Sequence, residues 1–315
     1  MGLGITMAVP APLVAQAAAA MPVTARKPVI DEYHGLKVVD DYQWLERWVD
    51  PAVRAWSDSE NAHTRGVLAG LPARSAIAQR VRQLVSTASA SYWAPERHGG
   101  LLFAIKYQPP KQQPLLVTLR SPDDPRSERV VLDANTVDPS GGTTIDFYVP
   151  SPDGRRVAVS LSRGGSEDGT LHVFETATSR ELGDTIAHIQ YPTAGGSVAW
   201  SGDSGFYYTR YPHPGERPDA DLHFYQQVYF HRLGAPDGAD AYVLGTDFPR
   251  IAEIVLAGSD DGGHFLATVA NGDGGEFAHY LSGPSGQWTQ VTRFADHATR
   301  AALGTDGFLY LVSLQ

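Results

Sequence analysis

One short motif returns along this chain and limits what it can fold into. A turn of the Asp-Gly kind, followed by an apolar strand, appears at His98-Gly-Gly-Leu-Leu-Phe-Ala-Ile105 and at Ser151-Pro-Asp-Gly-Arg-Arg-Val-Ala-Val-Ser160. It appears again at Ser201-Gly-Asp-Ser-Gly-Phe-Tyr-Tyr-Thr209, Ser259-Asp-Asp-Gly-Gly-His-Phe-Leu-Ala-Thr268 and Thr305-Asp-Gly-Phe-Leu-Tyr-Leu311. Taking His98, Asp153, Asp203, Asp261 and Asp306 as equivalent, the spacings are 55, 50, 58 and 45 residues. Glycine tolerates the positive φ of a tight hairpin, and Asp bonds its own following backbone. A unit of about 50 residues with three or four short strands has the length of one β-propeller blade. The alternative, a pair of β-sandwiches, gives no reason for one turn to return at blade spacing. From about residue 90 onward, period-2 runs of Val, Phe, Tyr and Thr alternate with turns, so four blades and the start of a fifth are expected.

Composition narrows the function classes. With 42% apolar residues among 315, the chain can bury a sizeable core, and 32 Gly with 22 Pro imply many turns. The net charge of −10, with no Lys/Arg run against it, argues against nucleic acid as a partner. The absence of Cys removes disulfides, thiolate nucleophiles and Cys-ligated zinc. Residues 1–21 are expected to be a signal peptide or flexible leader: the run to Ala20 is almost uncharged and ends in small residues. A cut signal implies a periplasmic or secreted protein, an uncut leader a cytoplasmic one. The run is shorter than the roughly 20 apolar residues a bilayer span needs, so no membrane is implied.

Residues 22–88 read as a helical head. Asp50-Pro51 pairs an N-cap with Pro at the first helical position, ahead of Val53, Trp56, Val67 and Leu68. After Pro72, the residues Ile77, Val81, Leu84 and Val85 make one apolar stripe at helical period, which needs a surface to pack on. Trp44, Leu45, Trp48 and Trp56 are expected to cluster and to need an apolar partner as well. Residues 89–315 hold blades 1 to 4 and the beginning of blade 5, and a single final strand implies a truncated ring.

Local motifs for chemistry are weak. Gly202-Asp-Ser-Gly205 and Thr185-Ile-Ala-His188 look like parts of a serine protease, but only 16 residues separate His188 from Ser204, and Ser204 sits in the repeated turn. No Gly-x-Ser-x-Gly elbow occurs. Asp219-Ala-Asp221-Leu-His223 has the donors for a cation and Asn271-Gly-Asp-Gly-Gly-Glu276 a faint calcium-loop look, yet both serve equally as polar loops, and no metal or cofactor is expected. The strand aromatics Phe206, Tyr207, Tyr208, Tyr229 and Phe230 read as packing between blades.

A family resemblance rests on longer segments. Asp31-Glu-Tyr-His-Gly-Leu-Lys-Val-Val-Asp-Asp-Tyr-Gln-Trp-Leu-Glu46 resembles the head motif of the prolyl oligopeptidases, apart from Asp41, where the family usually has Pro. Trp200 with Gly205-Phe-Tyr-Tyr-Thr-Arg-Tyr211 resembles the family's third-blade strand, and Gln226-Gln-Val-Tyr-Phe-His-Arg-Leu-Gly234 its next segment. The resemblance implies a serine endopeptidase that cleaves short peptides after proline, with a seven-bladed propeller over an α/β-hydrolase domain. The catalytic Ser, Asp and His would lie beyond Gln315, so no catalytic residue is assigned here. The propeller would filter proline-containing oligopeptides by size, and the missing hydrolase domain would be its partner. By the same resemblance, Glu167 in the loop Gly165-Ser-Glu-Asp-Gly169 and Tyr191 would lie near substrate, while Ala270-Asn271 stands where many members have a basic residue. A stand-alone binding propeller without catalysis remains the alternative.

Overall fold

The structure, a computed structural model, describes residues 21–314. The leader expected at residues 1–21 falls, except for Met21, outside the described residues. The chain divides into two compact units, Met1–Thr87 and Ala88–Gln315.

In the first unit, β1 (Val29–Tyr33) and β2 (Leu36–Asp40) form an antiparallel hairpin. The head read as helical over residues 22–88 therefore carries a β-hairpin besides its two helices. The turn uses His34 and Gly35, both at positive φ, and no alternating apolar pattern announced it. Helix α1 (Pro51–Ala69) starts as expected, with the Asp50 carboxylate accepting the Ala52 N–H at 2.8 Å. Trp44 and Trp56 meet edge to face at 6.5 Å, and their indole N–H groups donate to Ala25 O and Thr24 Oγ1. Trp48 stands apart from them, 63% exposed. Helix α2 (Arg74–Ser86) carries its stripe of Ile77, Val81, Leu84 and Val85 exposed.

The second unit is built of antiparallel sheets whose strands follow one another in chain order. The first sheet holds β3 (Ser91–His98), β4 (Leu101–Tyr107), β5 (Leu115–Leu119) and β6 (Arg129–Asp133). The second holds β7 (Thr143–Pro150), β8 (Arg156–Arg163), β9 (Gly169–Glu175) and β10 (Arg180–Gln190). The third holds β11 (Val198–Ser201), β12 (Gly205–Arg210), β13 (Gln227–Arg232) and β14 (Ala241–Leu244). The fourth holds β15 (Ala252–Gly258), β16 (Phe265–Asn271), β17 (Phe277–Ser282) and β18 (Trp288–Thr292). A two-stranded sheet of β19 (Ala298–Leu303) and β20 (Leu309–Ser313) follows, and the sheets do not close into a ring. Each recurring turn of the sequence joins the first and second strand of its sheet, so the repeat is the blade repeat.

Apolar side chains fill the seams between consecutive sheets. Phe103, Leu116, Val157, Val159 and Phe174 pack between the first and second. Ala158, Val173, Ile189, Trp200 and Phe206 pack between the second and third, and Tyr207, Ile254, Phe265 and Val269 between the third and fourth. Side-chain hydrogen bonds also tie the first strands to one another: Tyr148 Oη donates to Ala94 O, Trp200 Nε1 to Val149 O (2.9 Å), and Leu256 N to Ser197 Oγ (2.9 Å). These first strands line one cavity of about 520 Å³, walled by Glu96, His98, Phe147, Ser197, Trp200 and Asp260 among others. Sheets whose first strands converge on one cavity are blades, not the two layers of a sandwich.

The turns of neighbouring blades touch. A Cβ on Gly99 would lie 1.8 Å from the Asp153 carbonyl oxygen, whereas one on Gly100 meets nothing within 4 Å; both residues have positive φ. Gly100→Ala is expected to cost about 1–2 kcal/mol from the left-handed backbone alone. Gly99→Ala should cost clearly more, because backbone of the next blade must move. Urea unfolding of the two variants reads the difference, and equal losses would contradict the turn-to-turn contact.

Candidate functional site

Loops between the second and third strands, together with the crossovers between sheets, lie at the end of the blades opposite the recurring turns. This rim carries both residues singled out by resemblance. Glu167 is exposed in the loop between β8 and β9, at φ +54. Tyr191 begins the crossover from β10 to β11 and is half-buried. Neither belongs to the lining of the channel cavity, which is drawn from the first strands and the residues just before and after them.

The structure gives Tyr191 a partner that sequence reading missed. Its ring stacks on His223 at 4.0 Å and 22°, and Tyr191 Oη shares a hydrogen bond of 2.6 Å with His223 Nε2. Tyr211 lies 5.6 Å away, and Thr193 Oγ1 donates to the His223 carbonyl (2.7 Å). The crossover is held from below as well, since Gln226 Nε2 and Tyr211 Oη both donate to Gly195 O. The long β12–β13 loop thus fixes the aromatic wall on which Tyr191 sits.

Glu167 belongs to an acidic corner. Asp146, at a bulge in β7, accepts hydrogen bonds from Ser160 Oγ (2.7 Å) and Ser162 Oγ (2.6 Å). Burial raises its pKa; the serine hydroxyls oppose the rise, while the charges of Glu167 and Asp168 add to it. Gly169 is glycine because a Cβ there would strike Ser160 Oγ at 2.2 Å and Asp146 Oδ2 at 2.7 Å. Asp168 in turn meets His188 Nδ1 at 3.0 Å, and His188 lies 5.6 Å from His213. Burial raises the Tyr191 pKa and the charge of Asp168 adds to it, so the two singled-out residues share one electrostatic neighbourhood.

Two of the loop donors that suggested a cation are otherwise engaged. Asp221 Oδ1 accepts from Arg250 Nε at 2.8 Å, and His223 is taken by Tyr191. Among the described residues no group of three or more His, Asp or Glu could hold a metal ion. Ser204 Oγ donates to Ser201 O inside the recurring turn, which is a structural role. The rim brings together aromatic faces, carboxylates and a few neutral donors.

At the end of β12, Arg210 Nη1 and Nη2 donate to Glu216 at 2.7 and 3.0 Å, and its guanidinium lies 4.0 Å from the Tyr229 ring centre.

Serial four-stranded sheets whose first strands converge on one cavity define a β-propeller domain. The family model described as "Prolyl oligopeptidase, N-terminal beta-propeller domain" matches residues 22–312, and the chain belongs to that family. It is 28% identical over 259 residues to a prolyl endopeptidase of Elizabethkingia meningoseptica, covering 81% of this chain and 35% of that protein. It is 24% identical over 313 residues to prolyl oligopeptidase A of Galerina marginata, covering 86% of this chain and 41% of the other. A solved prolyl endopeptidase, studied for inter-domain dynamics in catalysis and specificity, superposes with a TM-score of 0.76 at 26% identity, over 87% of this chain and 40% of that one. Prolyl oligopeptidase B of Galerina marginata, solved with a 35-residue substrate, shares the fold with a TM-score of 0.72 at 20% identity, over 89% and 42% of the two chains. The chain therefore spans well under half the length of these relatives.

The hydrogen bonds from Arg210, with its charge, hold the Glu216 carboxyl at about 2, against 4.5 when free. A depressed carboxylate stabilises the fold above its free value and loses that contribution as pH falls toward 2. Stability measured from pH 5 down to pH 2 should therefore drop more steeply in the native chain than in Glu216→Gln. Parallel curves would contradict the pairing.

Proposed function

We propose that this chain is the gating part of a serine endopeptidase that cleaves short peptides after proline. The blades stand over a hydrolase domain and admit only thin, flexible chains. A channel walled by four blades would exclude folded proteins on steric grounds and leave oligopeptides free to pass.

The observation that carries this reading is the convergence of the first strands of four blades on one cavity, in a chain of the prolyl oligopeptidase propeller family. The exposed stripe of α2 supports it too, because Ile77, Val81, Leu84 and Val85 present the apolar surface that a hydrolase domain would cover. At the rim, Tyr191 on His223 offers a flat face for a proline ring or its neighbour, and Glu167 places a charge beside it. Catalysis itself would come from residues that this polypeptide does not contain, since its 315 residues include no nucleophile elbow.

The 315-residue chain is expected to leave a Gly-Pro chromogenic peptide uncleaved, and to support cleavage once it is joined to the remaining blades and a hydrolase domain. In that joined enzyme, Tyr191→Ala should raise KM for prolyl peptides several-fold and change kcat little. Turnover by the 315-residue chain alone would contradict the proposal, as would a joined enzyme that digests folded proteins as readily as oligopeptides.

A further inference from the structure

The seam between the second and third blades contains a charged cluster that none of the chemistry above uses. His231, in β13, is 0% exposed, and both of its ring nitrogens face carboxylates. Nε2 lies 3.0 Å from Asp184 Oδ1, and Nδ1 lies 2.8 and 3.0 Å from the two oxygens of Asp240. Asp184 comes from the second blade, where a register shift in β10 between Glu181 and Thr185 accompanies its turn toward the seam. Asp240 comes from the third blade, just ahead of β14.

Proton counting fixes the state of this cluster. A neutral imidazole has one N–H, and an ionised carboxylate only accepts. Two carboxylates on the two ring nitrogens therefore require one proton more than a neutral ring supplies, whichever atom carries it. The remaining partners cannot provide it. Tyr208 Oη already donates to Asp240 Oδ2 at 2.7 Å, the Gly234 N–H donates to Asp184, and Phe206, 5.2 Å from the ring, is apolar. Losing the proton would leave a lone pair against a carboxylate oxygen about 3 Å away, in a place without solvent, where such a contact is costly.

We propose that Asp184, His231 and Asp240 form a proton-operated latch between the second and third blades, closed while the histidine is protonated and released when it is not. Asp240 shares a blade with His231 and Asp184 does not, so release acts on the seam itself. The charged groups facing the ring are Asp184 from β10 and Asp240 from the loop before β14, with the ionisable Tyr208 from β12 behind Asp240. Burial alone lowers the pKa of His231, but the hydrogen bonds to Asp240 and Asp184 outweigh it and raise the pKa above the usual histidine value. A raised histidine stabilises fully below its free pKa, near 6.5, and the contribution is lost as pH climbs through the folded value. The latch is therefore closed at acidic and neutral pH and released on the alkaline side.

Amide hydrogen exchange of the 315-residue chain between pH 6 and 9.5, corrected for intrinsic rates, tests this. Opening at β10 and β13 should rise by up to about tenfold per pH unit above roughly 6.5, then level once the folded pKa is passed. Amides of β16, at the seam of the third and fourth blades, should stay flat. His231→Gln should lose the slope; Asp240→Asn, which keeps the ring and one carboxylate, should level at lower pH and serves if the first variant does not fold. Nitrogen-15 spectra of the His231 ring at pH 7 should show both ring nitrogens protonated, the imidazolium pattern. A neutral His231 ring at pH 7, or equal slopes at both seams, would overturn the latch.

Discussion

Burial on both faces is the constraint on which this fold rests. In β8, three consecutive residues, Val157, Ala158 and Val159, are each 0% exposed. Adjacent strand residues point to opposite faces, and here the two valines enter the seam with the first blade while the alanine enters the seam with the third. The third blade repeats the arrangement with Phe206 and Tyr208 on one side and Tyr207 on the other. Val157, Val159 and Phe206 each contribute about 1.5–3 kcal/mol by burial alone. A strand placed this way cannot slip by one residue without exchanging its neighbours, so the seams fix register as well as stability.

The rim follows from that rigidity. Loops carry little packing of their own, and a site built on them is only as well placed as the scaffold beneath. Tyr191 is held through the Gly195 carbonyl, which Gln226 and Tyr211 both reach from the third blade. Gln226 in turn accepts the Ile254 N–H of the fourth blade at 2.8 Å, so an aromatic in one crossover is positioned by two blades. The acidic corner depends likewise on Ser160 and Ser162, which alternate with the core residue Leu161 along β8.

Much of this is legible in the amino-acid sequence. The recurring turn marked the first hairpin of every blade because its cause is local: a tight hairpin needs Gly or Asp, whatever packs around it. The Asp50-Pro51 helix start was legible for the same reason. The β1–β2 hairpin was not, since His34-Gly35 is an uncommon hairpin turn and Val29 to Tyr33 shows no clean alternation. The partners of the site were hidden as well. His223 and Tyr191 are 32 residues apart, and Asp184 and His231 are 47 apart, so only the stacking of blades brings them together. Glu167 and Tyr191 could be named by resemblance, but that Asp168, next to Glu167 in the chain, acts on Tyr191 emerges only from the folded rim.

A pair of substitutions in one strand tests two-sided burial most directly. Ala158→Asp and Val159→Asp each place a charge at the same depth, but on opposite faces of the second sheet. If blades pack on both sides, urea unfolding will show each variant losing about 3 kcal/mol or more, the scale of an uncompensated buried charge. If one of the two stays within about 0.5 kcal/mol of the native chain, as a surface change does, that face meets water and the blade arrangement is wrong.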